Sequence, residues 1–580
     1  MKKLLYVAVL ISVFSCTNKK QPSEVDFTTK FEKSQGTETT TYAETIEYYT
    51  QLADAYPEIS IQEIGETDSG KPLHLVTLSP SKEFDFDKLV DKNVILINNG
   101  IHPGESDGID ATAMLLRDAV QDAEKLKQLN NIVLAVIPIY NVGGALNRNS
   151  NTRANQNGPK AYGFRGNAQN YDLNRDFIKA DTKNARAFAE IFHLVNPDIF
   201  IDNHVSNGAD YQYAITHLFT QHNKLGNELG SFIENKMRPA IEASLLENDI
   251  IITPYVNVWR SSPKAGFSQF FDSPRYSTGF STLFNTLGMM VETHMLKPYK
   301  QRVEQTYALM ESMIDFTKEN GIEIKTLRKD AVAKILEKDT YPIAYKLDKN
   351  KFATYEFKGY EDSYIDSKVT NGKRLFYDRS KPYSTPIKYF NQFTVSNEIT
   401  IPKAYILKQG WWKVLDRLND NNIEYTVFNK DTTITVEEQH IEKYETRKNA
   451  YEGHYPHYNT SASSTKKTIT FKEGDIYIPV NQKGARYIME TLEASATDSF
   501  FNWNFFDTIL QQKEGYSAYV FEDIAEELLN KNTALKDSLN AKMRTDKEFA
   551  KNPRAQLDFV YKNSKYYEDA HLKLPIYKVY

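Results

Sequence analysis

The sequence predicts an α/β protein, a mixed, mostly parallel sheet covered by helices on both faces, followed by a smaller α+β region. Short apolar runs at His74–Leu78, Val94–Asn98, Ile132–Ile139, Ile199–Asn203 and Met289–Glu292 are bounded by polar residues, glycine or proline, the pattern of buried strands. Between them, Ala111–Val120, Lys183–Val195 and Leu218–Leu246 place apolar residues at helical spacing. Strands and helices in alternation pack as a sheet between helical layers.

A chain of 580 residues exceeds what one core organises, so more than one domain is expected. Ile46, Tyr49, Leu52 and Tyr56 open the first domain as a helix, and the helical stretch Tyr299–Thr317 closes it, giving a domain over residues 42–325. Residues 326 to about 400 are rich in Tyr, Lys and Thr in short alternating runs that predict β-structure. Ile401–Asn422 reads as a strand leading into a helix through Trp411, Trp412, Val414, Leu415 and Leu418. Val436–Ser464 is polar and loop-like, Ile469–Pro479 reads as strand, and 484–496 and 521–550 read as helices. Residues 326–580 thus form an accessory α+β region whose role the sequence leaves open.

Apolar content of 41% and charged content of 25% are those of a globular chain. A net charge of −5 lacks the concentrated basic surface that a nucleic-acid partner requires. At the start, Met1-Lys2-Lys3 precedes the apolar run Leu4–Phe14, which is too short for a membrane span of about 20 residues. The run leads to Cys16, the single cysteine of the chain, so no internal disulfide is available. This resembles a bacterial lipoprotein signal. It implies a signal peptide over 1–16, lipid on Cys16, a flexible polar tether over 17–41, and a chain exported to the bacterial cell envelope and held at a membrane.

The chemistry concentrates at strand ends. Val94–Asn98 runs into Asn99-Gly-Ile-His102-Pro-Gly-Glu105, where an imidazole and a carboxylate three residues apart can converge on one ion. Asp198-Ile-Phe-Ile-Asp-Asn-His204 is a second apolar strand ending in a histidine. Each alone is a common loop feature. Together they place His102, Glu105 and His204 past the carboxyl ends of strands, the edge where open α/β sheets bind ligands. Asn174-Arg175 offers a planar guanidinium and an amide to grip a carboxylate. Gly288-Met-Met-Val-Glu292 closes a strand with a carboxylate that is costly to bury without a purpose, and near a metal-bound water it can accept a proton.

In this order, His102-x-x-Glu105, Asp172-x-Asn174-Arg175, His204 and Glu292 resemble the carboxypeptidase A-like zinc carboxypeptidases over residues 42–325. Asn141-Val-Gly-Gly144 resembles that family's Asn-Pro-Asp-Gly turn. The resemblance implies one zinc ion on His102, Glu105 and His204, with Glu292 as general base for a zinc-activated water that hydrolyses C-terminal peptide bonds. It implies that Asn174 and Arg175 bind the substrate carboxylate and that Asp172 hydrogen-bonds a zinc histidine. Arg153 would stabilise the oxyanion, with Arg148 as nearby competitor, and Tyr276 is the candidate for the family's mobile tyrosine. The substrate is a peptide or peptide-like molecule. An amidohydrolase acting on acyl-amino acids or peptidoglycan stem peptides is the alternative, and a surface binding lipoprotein the second. Asp176 after Arg175, and Val205-Ser206-Asn207 after His204, depart from the family pattern. His454-Tyr-Pro-His457 near Glu452 is read as a polar loop without a metal.

Overall fold

A computed structural model describes residues 25–580. The expected signal peptide and the lipidation residue Cys16 lie outside them.

Seven strands follow in order: β1 (Ile59–Glu66), β2 (Pro72–Leu78), β3 (Asn93–Asn99), β4 (Ile132–Ile137), β5 (Ile199–Ser206), β6 (Ile215–Phe219) and β7 (Ile252–Pro254). After the two-residue β8 (Phe267–Ser268), which lies in another sheet, comes β9 (Leu287–His294). The central sheet has eight strands in the order β1-β2-β4-β3-β5-β9-β6-β7. Its middle, β4-β3-β5-β9, is parallel, and antiparallel pairs flank it on both sides. All five strands expected from the sequence are present. β1, β6 and β7 are additional.

Alternation along the strands sorts the core into two layers. Ile95, Ile97, Ile199, Ile201 and Met289 face the helices Tyr42–Ala55, Asp107–Gln121, Arg238–Glu247 and Tyr299–Leu336. Val94, Leu96, Val133, Ala135 and Phe200 face the other way, onto the helices Lys183–Val195 and Ser277–Thr282. That second layer continues without a break into the accessory half, through Tyr341, Tyr405, Tyr487, Phe500 and Trp503. The second face of the sheet is therefore covered partly by accessory residues.

The accessory half contains the antiparallel pair β10 (Thr340–Leu347) with β13 (Phe393–Thr400) and, between them in sequence, the hairpin β11 (Ala353–Asp366) with β12 (Lys373–Phe390). A six-stranded sheet follows, from β14 (Ala404–Leu407), β15 (Thr426–Val427), β16 (Thr432–Thr446), β17 (His457–Phe471), β18 (Ile476–Pro479) and β19 (Lys573–Val579). β12 also pairs with β8, so one sheet takes strands from both halves.

Four expectations need correction. The tether expected over 17–41 is packed from residue 25 onward. Phe27 and Phe31 are buried, Phe31 edge-on to Tyr299, and Arg117 pairs with Glu32, because two aromatic side chains in a polar segment find apolar cover. The boundary at 325/326 falls inside one continuous helix, Tyr299–Leu336. The helix expected over Leu218–Leu246 begins with Leu218 and Phe219 in β6, paired with Met290 and Met289, and then breaks at Gly226, whose φ is +65°. Val436–Ser464, expected as a loop, belongs largely to the β16–β17 hairpin. Its apolar side chains cluster at the base, where Ile434 and Val436 pack with Ile469 and Phe471, while the stretch beyond is mostly polar, so alternation is weak across the segment.

Candidate metal centre and substrate cavity

The loop after β3 begins at Gly100, whose φ of +67° a side chain would strain, and turns tightly enough for the Glu105 N–H to bond the His102 carbonyl at 2.8 Å. Asn141 fixes this loop. Its side-chain amide donates to the carbonyls of Ile101 (3.1 Å) and Arg165 (2.9 Å), and its Oδ1 accepts from Gly144 N–H (2.8 Å). β5 brings His204 to the same place, with the His102 and His204 ring centres 5.1 Å apart.

Side-chain donor atoms of His102, Glu105 and His204, all buried, lie within 4.8 Å of one another. It is the only such group of three metal-binding side chains among the described residues. His102 Nε2 donates to Asp172 Oδ1 at 2.9 Å, and His204 Nε2 donates to Asp202 Oδ2 at 2.6 Å. Both Nδ1 atoms thereby turn to Glu105, at 3.2 Å from His102 and 3.1 Å from His204. His102 Nδ1 is buried and, despite that approach, has no hydrogen-bond partner. Two imidazoles held by carboxylates, with a carboxylate between them and an orphaned ring nitrogen, fit a divalent ion of the zinc type.

Electrostatics agree with that fit. Burial raises Glu105, but the charges of His102 and Arg153 outweigh it and hold its carboxyl well below the usual range. Burial likewise raises Asp172, and His102, Arg165 and Arg175 overturn it, holding this carboxyl well below its ordinary value. Burial lowers His204, yet Asp202 and Glu105 hold its imidazole well above the ordinary value. A metal cation binding Nδ1 displaces that proton.

The same side chains line a cavity of about 650 Å³. Glu292 enters it from β9, directly beside His204 in the ladder. Burial, helped by the negative charges of Glu105 and Asp202, pushes its carboxyl up to about 8 against the pull of His204. A bound cation acts in the opposite direction. Arg153 also lines the cavity, with Nη1 3.0 Å from Glu105 Oε1. Gly104 permits this approach, since a Cβ there would stand 2.5 Å from Arg153 Cδ. Arg148, the competitor, is elsewhere and donates to the carbonyls of Thr39 and Thr40.

Asp172 caps a short 3-10 turn, Leu173–Arg175, by accepting from Asn174 N–H at 3.0 Å. Asn174 Oδ1 accepts from Ser277 N–H at 3.1 Å, which leaves its NH₂ group to donate. The Arg175 guanidinium lies over the Tyr276 ring, 4.5 Å from its centre. Both residues line the cavity. The site residues expected from the sequence, Cys16 apart, are thus brought together.

Sequence reasoning missed Asp202, Arg165 and Asp272. Asp202 precedes His204 by two residues in a strand, so both point to one face, a period-2 signal that was available. Arg165 pairs with Asp172 at 2.9 Å and carried no local signal. Asp272 lines the cavity with Phe270, Leu218 and Met290; one carboxylate oxygen accepts from the Thr278 hydroxyl and the other has no partner. Burial pushes its carboxyl up to about 7, against the charges of Lys224 and Arg175. His454 and His457 bond Asp181 and Asp507 respectively and share no ligand position.

The carboxyl edge of the parallel strands thus carries a His–Glu–His group able to hold a metal ion. Residues 45–198 match the family model described as zinc carboxypeptidase (peptidase M14). Carboxypeptidase 2 of Trichophyton rubrum is 26% identical over 245 residues, 40% of this chain and 42% of that protein. The chain therefore matches less than half the length of that relative. Among solved structures, a metallo-carboxypeptidase from Burkholderia cenocepacia is 16% identical, with 48% of this chain and 68% of that one covered at a TM-score of 0.35. One from Pseudomonas aeruginosa is 14% identical, with 49% and 68% covered at a TM-score of 0.36.

Proposed function

We propose that this chain is a zinc-dependent metallocarboxypeptidase that removes C-terminal residues from peptides, with one zinc ion on His102, Glu105 and His204. The observation that carries this reading is the convergence in one cavity of the His–Glu–His donors, the Glu292 carboxylate and the Asn174–Arg175 pair. Zinc bound there would supply Lewis acidity, polarising the scissile carbonyl and acidifying a water molecule. Asp172 and Asp202 keep the two imidazoles in the tautomer that offers Nδ1. Glu292 takes the proton of the attacking water and delivers it to the leaving amine nitrogen. Arg153 stabilises negative charge on the carbonyl oxygen. Arg175 and Asn174 grip the terminal carboxylate, which restricts cleavage to chain ends.

The cavity also supports a side-chain preference. Leu218, Phe270 and Met290 offer an apolar channel and Asp272 a half-partnered carboxylate. A lysine or arginine side chain matches that sequence of surfaces, an apolar stem ending in a cation. We further assign the chain to the bacterial cell envelope, anchored by lipid on Cys16. The support is the apolar run Leu4–Phe14 leading to the single cysteine.

Metal analysis and peptide hydrolysis by the purified protein test the proposal together. About one zinc per chain and cleavage of free-acid peptides, with C-terminal amides spared, is the expected result. Equal cleavage of acids and amides would remove the carboxylate clamp. Cleavage confined to acyl-amino acids or muropeptides would favour the amidohydrolase alternative, and a zinc-free, inactive protein the binding lipoprotein.

A further inference from the structure

The tip of the β16–β17 hairpin reaches from the accessory half to the segment that carries the substrate clamp. Glu452 accepts a hydrogen bond from the Asp172 N–H at 2.9 Å, the one protein partner of that N–H among the described residues. Two residues on, His454 bonds Asp181 at 2.7 Å. Between them Gly453 lies so close to Tyr171 that a Cβ would stand 2.5 Å from the tyrosine oxygen. The tip is itself held in shape, since Tyr451 and His454 exchange backbone hydrogen bonds of 2.8 and 3.1 Å. Glu452 adopts a φ of +50°, a left-handed conformation uncommon outside Gly, Asn and Asp, which the surroundings must hold in place.

We propose that Glu452 is a positioning residue for the substrate clamp: through the Asp172 N–H it fixes the turn that presents Asn174 and Arg175. This rests on the carboxypeptidase reading above. Asp172 is the pivot of that turn, because its Oδ1 accepts from both His102 and the Asn174 N–H while its Oδ2 accepts from Arg165. A backbone anchor at Asp172 therefore sets the height of the clamp relative to His102. It also gives the accessory half a part in substrate binding that none of its side chains performs by direct contact with the cavity.

The test uses the full-length, zinc-loaded chain carrying Glu292→Gln, so that binding is read without turnover. Calorimetry measures the affinity of a tripeptide ending in a free carboxylate and of its C-terminal amide. Glu452→Ala is expected to weaken the acid by about tenfold, the scale of one hydrogen bond to a charged group, and to leave the amide unchanged. Glu452→Gln, whose amide oxygen still accepts from Asp172, should restore acid binding. Should the alanine variant not fold, Glu452→Met keeps the side-chain stem without the acceptor and carries the same expectation. Acid binding within twofold of the parent, or an equal loss for acid and amide, would overturn the positioning role. A parent that binds acid and amide alike would overturn the carboxylate clamp and this inference with it.

Discussion

His204 and Glu292 stand side by side in the register of the two central parallel strands β5 and β9. One strand end thus delivers an imidazole of the candidate metal site and its neighbour a carboxylate, at a separation fixed by the ladder. No loop has to fold correctly to bring them together. The distance between the proposed base and the candidate metal site is a property of the sheet.

That arrangement predicts a clean separation between metal binding and turnover. Glu292→Gln keeps the shape of the side chain and removes its basicity. It should lower kcat by about 10²–10⁴-fold, the range for loss of a general base. Zinc content, measured on the same sample, should stay at the parent value.

The carboxylates behind the histidines should act on the metal instead. Asp202 receives His204 and also the Ser277 hydroxyl at 2.5 Å, and Asp172 receives His102. Asp202→Asn and Asp172→Asn should each weaken zinc binding by about 10–100-fold, as measured by competition with a chelator. Unchanged affinity in both would show that the imidazoles need no such support.

Asp272 should control side-chain preference. Asp272→Asn removes the charge and retains the hydrogen bond from Thr278. The ratio of kcat/KM for peptides ending in lysine over leucine should fall by at least about tenfold, since a buried ion pair is replaced by an uncharged contact. An unaltered ratio would place the pocket floor elsewhere.

The pH dependence of the metal-free protein has a definite sign. The folded Glu292 carboxyl stands near 8 and Asp272 near 7, both above their unfolded values of 4.5 and 3.8. Between those limits these two groups hold more protons in the folded state than in the unfolded state, so their contribution to stability falls as pH rises from about 5 to 8. Glu292→Gln should flatten part of that fall, and Asp272→Asn a further part. Thermal unfolding of the metal-free variants at pH 5, 7 and 8 measures it. Parent and variant Tm values that change with pH in parallel would contradict the burial of these carboxyls.

Much of this centre was legible in the chain because strand ends and local spacing encode it. His102 and Glu105 share one turn, and His204 and Glu292 each close an apolar run. The hairpin tip was not legible for a physical reason. Glu452 contacts Asp172 across 280 residues from a mostly polar hairpin tip, so no local spacing announces the contact. Phe27 and Phe31 were lost similarly, as two aromatic residues in an otherwise polar stretch.

The halves should not separate. A chain ended at residue 325 would cut the helix Tyr299–Leu336 and uncover Phe188, Phe192, Phe280 and Phe284, which share a core with Tyr487 and Phe500. It would also leave Arg275 without Asp498, whose carboxylate lies 2.6 Å from the guanidinium, and Lys224 without Glu490 at 3.1 Å. Asp498 and Lys224 are both buried, so these ion pairs exist only where the two halves are packed together. The truncated chain should therefore be insoluble or lack a cooperative thermal transition, as judged by circular dichroism. A soluble fragment 25–325 with a sharp transition and one bound zinc would show instead that the first half folds alone.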